Sequence, residues 1–291
     1  MKKLKKIVLI ALCGATLSGC NSSMCSSEYT IDITSNGEYD YHEMYVNGDP
    51  GDLTDKELEA FNEASRVYSL YIDNCSSDYE KVKAAHDYIV KNCTYNKEAV
   101  DNDSLVDDDF TVYGTLVKGI SVCEGYAKSF KMLMDIAEID CIIVTGKVGE
   151  DEVLHAWNMV KLNDTWYHVD VTFDDPYPET KEIVYLYFNI SDDIIAKDHT
   201  WNRNTTPQAN DNSYDIIAKN ETQIVTIEEF KLLISDSCNK SKDYFSFVWN
   251  GQGMISEEQW RSAIGNTNIA NVSFACVGVD GRRLYMVNFS Y

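Results

Sequence analysis

Two strand-like runs separated by Asn163-Asp164 form the segment that most restricts the fold of this chain. The runs cover 155–162 and 165–172 and are rich in β-branched and aromatic residues. The Asn-Asp pair tolerates the positive φ angles of a two-residue hairpin turn. If Leu162 pairs with Thr165, the register of the whole hairpin is set. The chain is therefore predicted to contain an antiparallel sheet.

This register places His155 and Asp170 on one face of the hairpin. His155 would face Thr172, and Trp157 would face Asp170, so the imidazole and the carboxylate become diagonal neighbours. Their Cβ atoms would lie roughly 7 Å apart or somewhat less, a gap that a side-chain hydrogen bond can close. An aspartate in this position can orient a histidine and stabilise its imidazolium form.

His168 shares that face and is the alternative base. It lies towards the turn, directly after Trp166 and Tyr167, where a packing role is favoured. His155 lies near the open start of the hairpin and is therefore the predicted base.

Cys123 is the predicted nucleophile. It stands between a glycine-containing loop at 118–122 and apolar residues at helical spacing, which predicts a helix N-terminus. Unpaired N–H groups and the helix dipole favour the thiolate there, and they can also face a developing oxyanion. Each of the three residue types alone is more often structural, whereas their combination favours an enzyme.

The segments around these residues resemble the transglutaminase-like superfamily, in particular a bacterial lipoprotein branch of it. The resemblance is carried by VCEGYA at 122–127, HAWN at 155–158 and WYHVDVT at 166–172, and it covers roughly 55–205. Shorter matching segments lie at 86–89, 95, 174–176, 187–188 and 199–201.

The resemblance implies an α+β fold with a papain-like core, in which helices pack on an antiparallel sheet. It also implies that Cys123 is the nucleophile, that His155 is the general base and acid, and that Asp170 orients His155. Members of the superfamily transfer acyl groups to amines, hydrolyse amide or peptide bonds, or have lost activity and act as binding modules.

The predicted function is a thiol enzyme that acts on protein or peptide amides through a thioester at Cys123. The second attack, by an amine or by water, distinguishes a transglutaminase from a deamidase or peptidase, and no residue decides between them. The alternative is a catalytically silent surface lipoprotein that binds a peptide or a cell-wall polymer.

Three features near the nucleophile extend this prediction. Tyr95 is a candidate oxyanion donor, although a packing role is preferred for it. Glu124 stands where many relatives carry glutamine, which changes the charge beside the thiol. The acidic segment 101–109 is read as a solvated loop rather than a calcium site, because it lacks the glycine and terminal glutamate of an EF-hand. No metal and no cofactor are predicted.

Residues 1–20 resemble a bacterial lipoprotein signal. Four lysines precede an apolar run that ends in Leu-Ser-Gly-Cys, which implies cleavage before Cys20 and lipidation of that residue. The protein is therefore expected outside the cytoplasm, anchored to the cell membrane by its acyl chains.

The composition limits the partners. The formal net charge is −22, and removal of 1–19 would leave 21 basic against 47 acidic residues. Such a chain disfavours nucleic acid as a partner and favours cationic or amine-bearing substrates. Cys141 and Cys276 lie in apolar runs and are predicted to be buried, while any disulfide pairing among the other cysteines stays open.

The chain divides into four predicted parts, namely a signal peptide at 1–19, a polar tether at 20–52, a transglutaminase-like domain at 53–207 and a small two-layer α/β domain of unknown role at 208–291. Helices are predicted to start near Thr54 and Asp78. The last part reads as strand 214–218, helix 226–238, strand 244–249, helix 256–264 and a hairpin over 272–289.

Overall fold

The computed structural model describes residues 6–9, 39–149, 151–175, 183–265 and 267–291. The chain forms two compact units that divide between Asp215 and Ile216. Strand β1 (Lys6–Leu9) runs parallel to 271–274 and belongs to the second unit. Cys20 and most of the predicted signal and tether lie outside the described residues, so the lipoprotein signal stays a prediction.

Helices make up the first half of the first unit. Thr54 caps the second helix through a reciprocal capping box with Glu57, as predicted, and Ser77 caps the third. The helices are α1 (Tyr41–Asn47), α2 (Asp55–Val67), α3 (Asp78–Asn92), α4 (Lys97–Asp101), α5 (Cys123–Ile136) and α6 (Asp192–Ile195). Single turns of π-helix at Tyr68–Ile72 and Tyr113–Lys118 and of 3₁₀-helix at Asp107–Phe110 complete them.

Helix α1 corrects the predicted tether, which was expected to lack regular structure up to residue 52. Tyr41 is buried and its ring stacks on Phe61 at a centroid distance of 6.1 Å. The Nδ1 atom of His42 lies 2.8 Å from the carbonyl oxygen of Ile136 at the end of α5. A short helix with one buried aromatic residue was missed because its sequence is mostly polar.

The sheet of the first unit contains β4 (Cys141–Val148), β5 (Val153–Leu162), β6 (Thr165–Val169), β7 (Phe188–Ile190) and β8 (His199–Trp201). Within the described residues its order is β7-β6-β5-β4-β8, and all its pairings are antiparallel. Two-stranded pairing also joins β2 (Thr94–Tyr95) to β3 (Ile120–Ser121) in parallel.

The predicted hairpin is confirmed, with Leu162 opposite Thr165 and positive φ angles of 49° at Asn163 and 63° at Asp164. The register holds as far as Asn158 opposite Val169. The expectation that the second strand continues to residue 172 is wrong, because β6 ends at Val169 and the chain turns at 170–175.

Helix α5 packs on this sheet as the central helix of the unit. Phe130 and Leu133 are fully buried, and burial of such side chains stabilises a fold by roughly 1.5–3 kcal/mol each. The amide Nδ2 of Asn158 on β5 donates to the carbonyl oxygen of Ala127 at 3.0 Å, which ties the helix to the sheet. Helices on an antiparallel sheet confirm the predicted α+β class.

The second unit consists of α7 (Ile216–Asn220), β9 (Gln223–Ile224), α8 (Ile227–Asn239), β10 (Tyr244–Trp249), α9 (Glu257–Ile264), β11 (Asn271–Val279) and β12 (Arg282–Ser290). Its sheet order is β1-β11-β12-β10-β9 in the described part. Trp260 of α9 stacks on Phe274 of β11 with centroids 4.5 Å apart, in a core between helices and sheet. This is the two-layer arrangement that the pattern predicts.

One predicted element of this unit is wrong, and the first unit extends further than predicted. Segment 214–218 was predicted as a strand, but the chain forms α7 there, since a short apolar run does not distinguish helix from strand. The predicted boundary lies at 207, whereas residues up to Asp215 belong to the first unit, in which the hydroxyl of Tyr167 donates to Asp211 at 2.7 Å. In the described part of the chain, none of the helices has the length and apolar character needed to span a bilayer.

Candidate active site

Cys123 is the first residue of α5, as the sequence predicts, and its side chain is partly exposed. The residue before it, Val122, has extended backbone angles and provides no side-chain cap. The N–H groups of the first turn are therefore not occupied by a capping side chain. They can donate hydrogen bonds to an oxyanion formed beside the thiol.

The loop before Cys123 approaches α5 so closely that only glycine fits at position 125. A Cβ atom on Gly125 would lie 1.9 Å from the Oγ atom of Ser121 and 2.9 Å from that of Thr115. Ser121 is itself held, because its hydroxyl donates to the carbonyl oxygen of Asp109 at 2.7 Å. This packing fixes the loop against α5 and therefore fixes the position of Cys123.

Asp109 stabilises the same loop through hydrogen bonds of its side chain and its backbone. Its carboxylate is buried and accepts hydrogen bonds from the Val106 N–H and the Asn96 amide, both at 2.8 Å. Its carbonyl oxygen also accepts the Val122 N–H at 2.9 Å. The reading of 101–109 as a solvated loop is wrong at this residue, which has a structural role instead.

Neighbouring acidic residues of the segment pair with lysines. Asp108 lies 2.6 Å from the ammonium groups of both Lys56 and Lys118, and these cations lower the pKa of its carboxyl. Asp101 lies 2.8 Å from Lys97. These carboxylates thus have protein cations as partners.

His155 and Asp170 come together, in agreement with the predicted pair. The Nε2 atom of His155 donates to Oδ2 of Asp170 at 2.7 Å, and both side chains are fully buried. Asp170 lies in the turn after β6, where its Oδ1 atom accepts the N–H groups of Thr172 and Phe173, each at 3.1 Å. The two residues therefore meet through a turn rather than as diagonal neighbours along two strands.

The second ring nitrogen of His155, Nδ1, is not used by Asp170. Nδ1 is buried and forms no hydrogen bond. Burial alone would lower the pKa of His155, but the negative charges of Asp170 and Cys123 outweigh it and raise the pKa to about 10. Because Nε2 is engaged by Asp170, Nδ1 is the atom that remains for the thiol.

His168 has a different environment and cannot act as the base in this arrangement. The indole N–H of Trp157 donates to its Nδ1 at 2.9 Å, so that nitrogen carries no proton. Its Nε2 then donates to Asp192 at 2.8 Å. Burial lowers the pKa of His168, which fixes the ring as a neutral imidazole.

His199 lies in a segment that resembles the family, although the sequence alone predicts no role for it. Its Nε2 atom lies 3.0 Å from Oδ2 of Asp170, and its Nδ1 atom lies 2.7 Å from Oδ1 of Asp198. Strand β8 carries it to the site by pairing with β4, where Val148 faces His199. In the sequence, His199 is only a histidine in a short strand-like segment, and this pattern is too common to predict a role.

Tyr95 and Glu124 both lie beside the nucleophile in the chain or in the fold. The pairing of β2 with β3 places Tyr95 opposite Ser121, two residues before Cys123. Tyr95 stays a candidate oxyanion donor. Glu124 is buried and pairs with Lys128 at 2.7 Å, so a cation compensates the charge that the sequence adds next to the thiol.

The buried cluster of His155, Asp170 and His199 has the residue types that can bind a metal ion. Among the residues that the structure describes, His155, Asp170 and His199 are the group with three potential ligand atoms, all within 4.8 Å of one another. Atoms that share a tetrahedral zinc ion at about 2.0–2.1 Å lie roughly 3.3 Å apart. The distances of 2.7 and 3.0 Å at Asp170 are shorter and are those of hydrogen bonds.

The part of the chain that contains this site is similar in sequence to known proteins. Residues 66–171 match the transglutaminase-like superfamily and include Cys123, His155 and Asp170. The resemblance to this superfamily that the sequence predicts is thus confirmed over 66–171. The kyphoscoliosis peptidase of Mus musculus is 27% identical over 135 residues, which cover 42% of this chain and 20% of the peptidase.

Two solved structures have partial similarity. One is a TGase with 19% identity, a TM-score of 0.36 and coverage of 49% of this chain and 40% of that chain. The other, from Cytophaga hutchinsonii and described as a candidate cysteine protease, has 18% identity, a TM-score of 0.33 and coverage of 41% and 40%. This chain thus spans less than half the length of these relatives.

Proposed function

We propose that this chain is a thiol enzyme that acts on protein or peptide amides through a thioester at Cys123. The observation that carries the proposal is the arrangement of His155, whose Nε2 is held by Asp170 while its buried Nδ1 is left for the thiol. The transglutaminase-like match over 66–171 supports the same class of chemistry.

The chemistry follows from these atoms. The thiolate of Cys123 attacks the amide carbon, and the N–H groups at the start of α5 stabilise the oxyanion. The imidazolium of His155 then gives its Nδ1 proton to the leaving nitrogen, and the thioester remains on Cys123. In the second half, His155 takes a proton from the attacking amine or water, and the thiolate is restored.

Labelling with iodoacetamide tests the nucleophile. Cys123 and Cys75 are the partly exposed cysteines among the six free ones in the described residues, so Cys75 serves as an internal control. We expect fast labelling of Cys123 at neutral pH, slow labelling of Cys75, and a loss of the fast reaction in His155→Ala without a change at Cys75. Equal rates for Cys123 with and without His155 would remove the proposed mechanism.

The overall reaction is decided by a product screen. Candidate surface peptides with glutamine and lysine are incubated with the wild type and with Cys123→Ala, and mass spectrometry follows ammonia loss, crosslinks and chain cleavage. Each product identifies one reaction, namely deamidation, transfer or peptide hydrolysis. A cellular phenotype that Cys123→Ala rescues in full would instead favour the silent binding protein.

We further propose that the protein acts outside the cytoplasm, attached to the membrane through lipid on Cys20. The lysine-rich start and the Leu-Ser-Gly-Cys sequence support this. Metabolic labelling with a fatty-acid analogue should mark the wild type and leave Cys20→Ser unmarked and released from the membrane fraction. Retention of the label in Cys20→Ser would contradict the proposal.

A further inference from the structure

Asp170 holds two histidines through the same oxygen atom. Its Oδ2 accepts from Nε2 of His155 at 2.7 Å and from Nε2 of His199 at 3.0 Å. The rings of the two histidines lie 5.5 Å apart, centroid to centroid, in an edge-on arrangement. The site therefore contains His199 in addition to Cys123, His155 and Asp170.

The partners of His199 define its charge. Its Nε2 faces the carboxylate of Asp170, and its Nδ1 faces the carboxylate of Asp198. An ionised carboxylate only accepts hydrogen bonds, so both ring nitrogens must carry protons. Burial opposes this charge, but the two carboxylates outweigh it and raise the pKa of His199. His199 is thus a buried imidazolium between two carboxylates.

The effect on Asp170 is twofold. With Oδ1 occupied by the N–H groups of Thr172 and Phe173, and Oδ2 by the two histidines, the carboxylate has a partner on every side. Its orientation towards His155 is fixed as a result. Its negative charge is also shared between two imidazolium rings, so His155 does not receive all of it.

We propose that His199 is a positioning residue of this site, which fixes Asp170 and sets how strongly Asp170 retains the proton of His155. The proposal rests on the proposed thiol chemistry. A weaker hold on that proton is useful because His155 must deliver it to the leaving nitrogen.

Other charged or titratable groups surround the pair and must be kept constant in a test. Cys123 acts on His155, and Asp174, in the turn after β6, acts on Asp170. On the far side, the hydroxyl of Tyr187 donates to Asp198 at 2.6 Å. The charge of His199 also helps to lower the pKa of the neutral His168.

Nitrogen NMR of the full chain at neutral pH tests the charge of His199 directly. We expect both ring nitrogens of His199 to carry protons and one of the two nitrogens of His168 to carry none. An unprotonated nitrogen on His199 would overturn the proposal.

The coupling to His155 is tested by titration of the His155 ring in the wild type and in His199→Gln. Glutamine can still donate to Asp170 but carries no charge. We expect the titration of His155 to move upward by about 2 pH units, from the interaction of two charges roughly 5–6 Å apart at an effective dielectric constant near 20. An unchanged or lowered titration in the folded variant would contradict the proposal.

His168→Gln is the matched control, because it replaces a buried histidine that carries no charge, and it should leave the titration of His155 in place. If His199→Gln does not fold, Asp198→Asn provides the second variant. It removes the carboxylate that stabilises the charge of His199 and should move the titration in the same direction. These titrations need no turnover, so they decide the role of His199 even if no substrate reaction is found.

Where turnover is measurable, His199→Gln should lower kcat by more than it changes KM and should move the alkaline limit of kcat upward with the His155 titration. A fall in activity with an unmoved limit would indicate a structural role only and would contradict the proposal.

Discussion

His155 and His168 stand on the same hairpin and have opposite acid–base properties. Both rings are fully buried, and each has a carboxylate oxygen within hydrogen-bond distance, at 2.7 Å for Asp170 and 2.8 Å for Asp192. The pKa of His155 is raised to about 10, whereas that of His168 is lowered. A buried histidine–aspartate pair alone therefore does not make a base.

The second ring nitrogen accounts for the difference. The indole N–H of Trp157 occupies Nδ1 of His168, which keeps that nitrogen unprotonated. Nδ1 of His155 has no such donor, and the nearby charge of Cys123 favours a proton there. Trp157 lies between the two histidines, with its ring 6.0 Å from that of His155, and takes part in both environments.

The largest effect is expected for His155→Ala. We expect turnover to fall by at least on the order of 10⁴, since neither base nor acid remains at the thiol. Folding should be largely retained, because His199 still donates to Asp170. Steady-state kinetics with circular dichroism measures both, and retention of turnover would assign the base elsewhere.

Asp170→Asn should follow, with a loss in turnover that reaches on the order of 10⁴. An amide cannot stabilise the imidazolium of His155, and it presents an N–H to at least one histidine that needs an acceptor. The pKa of His155 should also fall below its wild-type value, which an NMR titration measures. A drop in turnover with an unchanged His155 titration would show that orientation alone matters.

His168→Ala should affect stability rather than chemistry. It leaves the Trp157 N–H and the Asp192 carboxylate without their partner, which costs on the order of 3 kcal/mol in the free energy of unfolding. Urea denaturation measures the loss, while kcat should stay within a few-fold of the wild type. An unchanged free energy of unfolding together with a large loss of kcat would show that His168, and not His155, is the base.

The pH dependence of the wild type should reflect the imidazolium of His155. Turnover should fall about tenfold per unit as the pH rises above 10, because the proton for the leaving group is lost. The folded pKa lies above the ordinary value of 6.5, so the contribution of His155 to stability is complete below 6.5 and is lost as the pH rises through 10. An alkaline limit near neutrality would contradict this assignment.

The smallest effect is expected for Trp157→Phe, which removes the donor from Nδ1 of His168 and retains most of the ring. Nδ1 can then take a proton, and the pKa of His168 should rise by on the order of one unit. An NMR titration of the His168 ring measures this change. No rise would mean that burial alone keeps His168 neutral.

Much of the local structure was predictable because its causes lie within a few residues. The Asn163-Asp164 turn, the capping boxes at Thr54 and Thr226, and the helix that begins at Cys123 each depend on hydrogen bonds or dihedral angles over two to four positions. The second-unit hairpin over 271–290 is of the same kind. Burial of Cys141 and Cys276 also followed from their apolar surroundings.

Other features were not predictable because distant segments determine them. The partly polar α1 is held through Tyr41 by a ring twenty positions further along, and Asp109 is buried because loops from separate parts of the chain meet around it. Residues 214–218 show the opposite case, in which an apolar run forms a short helix although strand was favoured.

The sequence by itself determined the hairpin turn, its register as far as Asn158 opposite Val169, and the helix start at Cys123, since period and turn chemistry are local properties. It also predicted His155 and Asp170 as partners, but through a strand pairing that does not form, because β6 ends at Val169. Only the tertiary structure decided that Asp170 sits in a turn, that Trp157 keeps His168 neutral and that His199 completes the cluster. The reason is that charge and protonation depend on every partner of a buried group, and strand β8 brings His199 to Asp170 from 29 positions away only when the sheet has closed.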